Sequence, residues 1–125
     1  MIQLAAGDLT TEHVDAIVLA PIDKTSMVSV VDRAVSQNIP VVIFDSGLND
    51  ETNIVSYVAT DNYKGGAMAA QEMGKILEGQ GNVIMLRYNP GSESTEQREA
   101  GFLETLERDF PQIKVISSNE YAGTT

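Results

Sequence analysis

The stretch IPVVIFDSGLND, residues 39–50, places polar groups directly after a run of apolar residues. Such a run is typical of a strand buried on both faces, so Asp45 and Ser46 would stand where the backbone leaves the core. In open α/β sheets the ligand crevice lies outside the carboxyl ends of the strands. A carboxylate at that edge can accept hydrogen bonds from the hydroxyl groups of a ligand. The alternative is that Asp45 only caps the turn, through an Asx bond with Ser46 or Gly47.

Composition limits the other chemistries that this chain could perform. The chain has no cysteine and one histidine, His13, which lies in a polar turn and is expected to be solvated. Disulfides, thiolate zinc sites and cysteine nucleophiles are therefore excluded. The net charge of −10 argues against a nucleic-acid partner, because phosphate binding needs clustered Lys and Arg. We expect no metal, no cofactor and no enzymatic activity; a phosphoacceptor receiver domain would need an acidic pair after its first strand, which is absent.

Two further patterns allow a functional and a structural interpretation. Gly65 and Gly66, in YKGGAM, could offer helix-start amides to an anion or could permit close helix packing. Glu93, Glu96 and Glu99 lie on or beside a predicted helix start, where the helix dipole favours carboxylates. We expect these three glutamates to be solvated rather than to form a catalytic pair.

Apolar runs and helical patterns alternate along the chain and predict an α/β fold. The predicted strands cover about residues 15–21, 40–46, 54–60, 82–88 and 113–118, and the third of them alternates as an edge strand would. The predicted helices cover the first dozen residues, where Ile2, Ala5 and Leu9 share a face, and about residues 25–37, 63–77 and 95–109. Strands separated by helices imply parallel pairing, and so a doubly wound, Rossmann-like or flavodoxin-like sheet.

Local signals mark two helix starts and both ends of the chain. Thr25 is the predicted cap of the helix over 25–37, and Ser94 with Gln97 forms a capping-box pattern before the helix over 95–109. The chain opens on a predicted helix and ends just after a predicted strand. A doubly wound domain usually starts with its central strand, so we expect the fold to be incomplete at both ends.

Four motifs together, DAIVLAP, IPVVIFDS, VATDNYKGGAMAA and QREAGF, resemble the sugar-binding proteins of bacterial ABC importers, the type 1 periplasmic binding proteins. The resemblance runs from about Ile2 to Ala122. It implies a two-lobed fold in which residues 1–60 are the later part of the first lobe and residues 61–125 open the second, with a hinge crossing near 60–62. It also implies that aromatic residues that stack on the sugar precede Met1, and that several strands follow Thr125.

The resemblance also implies roles for particular residues. Asp45 matches the residue that accepts hydrogen bonds from sugar hydroxyls, and Ser46 stands beside it where ribose binders have an arginine, which puts ribose itself in doubt. Arg98 matches the second-lobe arginine that reaches the sugar; its planar fork can donate two parallel hydrogen bonds. The alternative for Arg98 is a salt bridge to Glu99 or Glu104. Asp61 and Asn62 match hinge or crevice residues.

The implied function is capture of a monosaccharide between two lobes in the periplasm, for delivery to an ABC permease of the inner membrane. A lactose-repressor-like regulator shares the fold and is the alternative, although the DNA-binding headpiece of that family is absent from this sequence. Uncovered sheet edges and helix faces predict a homodimer, which could include exchanged elements.

Overall fold

The computed structural model of the protein describes residues 14–122. This part of the chain divides into two compact units. The first contains the residues up to Ala59 together with Gly91–Glu93, and the second contains Thr60–Pro90 and the residues from Ser94 onward. The predicted first helix and His13 lie outside the described residues. The assignment of the chain to two lobes with a hinge near residues 60–62 stays a prediction.

The first unit is a three-stranded parallel sheet with one described helix. Its elements are β1 (Ile17–Leu19), α1 (Val28–Ser36), β2 (Val41–Phe44) and β3 (Ser56–Val58). The strand order is β1-β2-β3, with Leu19 beside Ile43 and Phe44 beside Val58. The core joins one face of the sheet to α1, and its central side chains are Ile17, Leu19, Val30, Val31, Ala34, Val41 and Ile43.

The second unit is a two-stranded parallel sheet with two helices. Its elements are α2 (Asn62–Ile76), β4 (Gln80–Arg87), α3 (Glu93–Asp109) and β5 (Gln112–Tyr121). Glu93, the first residue of α3, groups with the first unit. The buried core contains Ala70, Val83, Leu106 and Ile113, and two irregularities interrupt the pairing of β4 with β5 after Val83. Parallel pairing in both units confirms the predicted α/β class.

The prediction that the strands are covered on both faces is wrong for the described chain. Val18 is 68% exposed between two buried neighbours in β1, and in β4 Ile84 and Leu86 are 60% and 66% exposed. Buried and exposed residues therefore alternate, as they do when a sheet is covered on one face only. The apolar runs could not show this, because the uncovered face is as apolar as the covered one.

Both predicted caps are also wrong. Asp23, not Thr25, supports the turn before α1: its Oδ1 accepts hydrogen bonds from the N–H groups of Ser26 at 2.7 Å and Thr25 at 3.0 Å. The hydrogen bond from Ser26 is the main reason that the pKa of the Asp23 carboxyl is lowered. Helix α3 already includes Ser94, since it begins at Glu93, and this leaves no capping box at that serine.

Two glycines bring α2 and α3 into backbone contact. A Cβ atom on Gly66 would overlap the carbonyl oxygen of Arg98, and one on Gly101 would overlap the carbonyl oxygen of Tyr63. Gly65, in contrast, has nothing within 4 Å of its Cβ position. Close helix packing is therefore the interpretation of YKGGAM that the structure supports for Gly66.

Within residues 14–122, no helix is both long enough and apolar enough to cross a membrane.

The glycine pair in α2 provides a matched test of this packing. We expect Gly66→Ala to lower the free energy of unfolding by roughly 1–3 kcal/mol, because α2 and α3 must move apart. Gly65→Ala should leave it unchanged or raise it by up to about 1 kcal/mol, the gain of alanine over glycine in a helix. Urea unfolding of both variants measures the difference. Equal effects at the two positions would show that α2 and α3 are not in backbone contact.

Candidate functional site

Asp45 lies at the carboxyl edge of the first sheet in an unusual backbone conformation. Asp45 follows β2, is exposed to solvent, and has a φ angle of 68°, in the left-handed region. Its N–H donates a hydrogen bond to the carbonyl oxygen of Val58 at 3.0 Å, which ties the turn to the end of β3. Residues other than glycine pay roughly 1–2 kcal/mol for this region, and Asp and Asn adopt it more readily than most. Strain of this kind is concentrated at functional sites.

The capping alternative for Asp45 does not fit the hydrogen bonds of the turn. The N–H of Ser46 donates to the carbonyl oxygen of Phe44 at 2.8 Å, and the N–H of Gly47 donates to Oε2 of Glu93 at 3.4 Å. Both amides that an Asx turn would use are therefore directed to other acceptors. Ser46 itself is buried, with 3% exposure, and has an interaction partner. Of the two predicted ligand-binding residues in this turn, Asp45 is the accessible one.

The loop after β2 is tied to the loop after β1. The N–H of Asn49 donates to the carbonyl oxygen of Lys24 at 2.9 Å, and the Asn49 side-chain amide donates to Oγ1 of Thr25 at 2.9 Å. The N–H of Lys24 donates in turn to the carbonyl oxygen of Gly91 at 2.9 Å. Gly91 has a φ of 89°, and a Cβ atom there would overlap the Asp23 carboxylate. These contacts hold the edge beside Asp45 in one arrangement.

Glu93 and Tyr57 lie beneath this loop, and sequence reasoning missed their role. Oε2 of Glu93 accepts from both the Gly47 N–H and the Tyr57 hydroxyl, each at 3.4 Å. Burial, followed by the charges of Glu93 and Glu51, raises the pKa of Tyr57 to about 12. Glu93 is thus half-buried and bonded, so the expectation that it is solvated is wrong. No local pattern could have revealed this, because 46 residues separate Gly47 from Glu93.

In the second unit the structure brings two predicted residues together. Nε of Arg98 donates to Oδ1 of Asn62 at 2.8 Å, and Asn62 is buried, with 5% exposure. Asp61 caps α2 by accepting from the Lys64 N–H at 2.9 Å. Because the bond to Asn62 uses only Nε, the two terminal amino groups of the Arg98 guanidinium keep their donor capacity.

The salt-bridge alternative for Arg98 does not fit, since both candidate carboxylates have other partners. Glu99 pairs with Nε of Arg87 at 2.6 Å, and Glu104 accepts from the Tyr63 hydroxyl at 2.6 Å. The side chain of Glu99 is only 12% exposed, so this glutamate is also not solvated as expected. The hydrogen bond that Arg87 donates to Glu99 raises the pKa of Arg87, whose guanidinium lies 5.1 Å from the Tyr121 ring centre.

An open cavity of about 230 Å³ adjoins Arg98 within the second unit. Met85 and Phe102 supply apolar wall, Gly66 lies at its α2 side, and Arg98 and Glu99 also line it, although the cavity surface is almost entirely apolar. Among the described residues, no group of three or more His, Asp or Glu side chains could hold a metal ion.

Comparison with known proteins gives a consistent result. Residues 4–125 match the family described as "Periplasmic binding protein domain". The chain is 34% identical over 95 residues to the ribose import binding protein of Bacillus subtilis, covering 76% of this chain and 31% of that protein. It is 29% identical over 111 residues to the xylitol-binding protein of Mycolicibacterium smegmatis, covering 89% of this chain and 31% of that protein.

Solved structures agree with these sequence matches. A carbohydrate transporter solute binding protein from Agrobacterium radiobacter, in complex with D-arabinose, has a TM-score of 0.87 at 29% identity, over 96% of this chain and 41% of that one. The periplasmic component of an ABC-type sugar transport system from Hahella chejuensis has a TM-score of 0.88 at 33% identity, over 97% and 44%. The chain spans about a third of the length of the two curated relatives described above.

The contact between Tyr57 and Glu93 can be measured in solution. We expect Tyr57 to titrate near pH 12. Its pKa in the folded chain exceeds the ordinary value of 10.0, so its contribution to stability is complete below that pH and is lost as the pH rises towards 12. Glu93→Gln removes a nearby negative charge and should lower this pKa, as followed by phenolate absorbance. Glu107→Gln, on the same helix, is the control. A Tyr57 titration that Glu93→Gln leaves unchanged would contradict the contact.

Proposed function

The chain belongs to the periplasmic binding protein family, and this confirms the resemblance seen in its sequence. We propose that it is part of the sugar-binding component of a bacterial ABC importer. The protein captures a monosaccharide and delivers it to a membrane permease. Parallel sheets and two-lobed structural neighbours likewise confirm the predicted fold class. The role requires binding alone, so no catalytic group or cofactor enters the proposal.

The observation that carries this proposal is similarity to sugar-binding transport proteins along nearly the whole chain. The relatives and neighbours described above are named for ribose, xylitol, carbohydrate or sugar transport, and one was solved with D-arabinose bound. These matches favour a transport protein over the lactose-repressor-like alternative. The same relatives support a periplasmic location, and the net charge of −10 disfavours a nucleic-acid partner.

We assign the sugar contacts to two exposed residues, Asp45 and Arg98. The Asp45 carboxylate would accept hydrogen bonds from sugar hydroxyls, and its turn already has bonded backbone amides on both sides. Arg98 would donate through its terminal amino groups while Asn62 holds Nε. Ser46, buried beside Asp45, would set the shape of the turn more than it contacts ligand. Asp61 and Asn62 would act as hinge or crevice residues. Asp61 caps α2, and Asn62 accepts a hydrogen bond from Nε of Arg98.

The proposal predicts heat of binding for at least one sugar in a calorimetric panel of pentoses and hexoses. The panel is run on this chain and on the longest protein that its gene encodes, because the matched part of this chain covers only 31% of the Bacillus subtilis relative. Asp45→Asn and Arg98→Gln should each weaken binding by roughly 10–100-fold, the value of one hydrogen bond to a charged group. Asp50→Asn, at another exposed aspartate of the same loop, is the control.

A second variant separates binding from folding. Asp45→Gly removes the carboxylate but also relieves the left-handed backbone, so it should weaken sugar binding while the protein becomes no less stable. No heat from any sugar with the longest protein, or affinity unchanged in Asp45→Asn, would contradict the proposal.

A further inference from the structure

The turn that presents Asp45 is attached to distant residues of the first unit at two points. The Asp45 N–H donates to the carbonyl oxygen of Val58, and the Gly47 N–H donates to Oε2 of Glu93. The Ser46 N–H between them donates to a carbonyl group within the same turn. A non-glycine residue in the left-handed region persists only where surrounding contacts fix it, so both attachments bear on the direction of the Asp45 carboxylate.

Tyr57 gives the second attachment a fixed base. Its ring packs against the core of the first unit, beside the fully buried Ile43 of the neighbouring strand. Its hydroxyl donates to the same Oε2 of Glu93 that accepts from the Gly47 N–H. An ionised carboxylate only accepts, and each of its oxygens has room for two donors. Glu93 therefore connects a ring fixed in the core to the backbone amide two residues after Asp45.

The space around Gly47 shows the same arrangement independently of the two hydrogen bonds. Gly47 is buried, and a Cβ atom there would lie 2.8 Å from Oε1 of Glu51 and 3.4 Å from the ring and hydroxyl oxygen of Tyr57. Glu51 in turn accepts from the N–H of Leu48 at 3.1 Å. The absence of a side chain at position 47 thus lets the Tyr57 hydroxyl, and the carboxylate bonded to it, lie against the backbone of the turn.

We propose that Glu93 is a positioning residue for sugar binding: by accepting from the Gly47 amide and the Tyr57 hydroxyl, it fixes the turn that directs the Asp45 carboxylate. Glu93 acts through Asp45 and does not itself contact the sugar. The inference rests on the function proposed above for its effect on affinity, whereas its effect on the turn is independent of any ligand. A solvated glutamate at a helix start would influence neither.

Amide hydrogen exchange at Gly47 tests the effect on the turn without a ligand. It is followed by NMR in the longest protein that the gene encodes. Glu93→Ala removes the acceptor, so this amide should exchange roughly 3–10-fold faster, the equivalent of one ordinary hydrogen bond. Glu93→Gln keeps a side-chain oxygen and should retain most of the protection. Glu107→Ala, at an exposed position of the same helix, is the control. Exchange at Gly47 that Glu93→Ala leaves unchanged overturns the proposal.

Sugar affinity shows whether Glu93 acts through Asp45. In calorimetry with D-xylose and D-galactose as probes, Glu93→Ala should weaken binding roughly 3–10-fold, and Glu93→Gln should bind nearly as well as the wild type. In an Asp45→Ala background, Glu93→Ala should have no further effect. Equal weakening in both backgrounds overturns the proposal, because Glu93 would then act independently of Asp45. No heat from any sugar contradicts the proposed function instead, and the exchange at Gly47 still decides the role of Glu93 in the turn.

A variant of the partner residue keeps the proposal testable if Glu93→Ala fails to fold, which circular dichroism shows. Tyr57→Phe keeps the ring in the core but removes the hydroxyl that holds Glu93. It should speed exchange at Gly47 and weaken sugar binding in the same direction as Glu93→Ala, by smaller factors, because the Gly47 amide keeps its acceptor. A Tyr57→Phe protein with wild-type exchange at Gly47 and wild-type sugar affinity would contradict the proposed role of the pair.

Discussion

The close contact between α2 and α3 is the constraint on which the second unit depends. Glycine at positions 66 and 101 lets each helix backbone touch the other, and Gly74 similarly accommodates the ring of Phe110. At this separation Asn62, at the start of α2, reaches the Arg98 guanidinium with a 2.8 Å hydrogen bond. The arginine is therefore held through Nε by a buried amide, which reduces the conformational entropy that it would lose when it binds a ligand.

In the first unit, a network of hydrogen bonds positions Asp45. Asp45 is held in the left-handed region by the turn after β2, while backbone and side-chain bonds connect that turn to the loop after β1, to Gly91 and to Glu93. The cost of the strained residue is offset by this network, and the result is an exposed carboxylate on a fixed backbone. Both proposed sugar contacts thus come from side chains whose supports are already in place before ligand arrives, which is what preorganised binding requires.

The sequence predicts most of the strands and helices and one of the proposed sugar contacts, for identifiable reasons. Periodicity located the five strands, the helices α1 to α3 and their parallel connectivity, and the end of a strand placed Asp45 at the sheet edge. Partners distant in sequence could not be read: the Glu93 bond to Gly47 and the Arg98 bond to Asn62 depend on how separate elements pack. Nor could the uncovered face be foreseen, because Ile84 and Leu86 are equally apolar whether covered or not. The predicted cap at Thr25 is wrong because α1 begins only at Val28, and Asp23 accepts hydrogen bonds from the Thr25 and Ser26 amides in the turn before it.

The hydrogen bond between Arg98 and Asn62 links the helix contact to the proposed function, so it is the bond to measure. A double-mutant cycle of Asn62→Ala and Arg98→Ala, followed by urea unfolding, gives their coupling free energy. A bond from a charged donor to a buried amide should give a coupling of about 0.5–3 kcal/mol in favour of folding. Effects that add to within about 0.3–0.5 kcal/mol would show that the two side chains are independent, and would contradict this account.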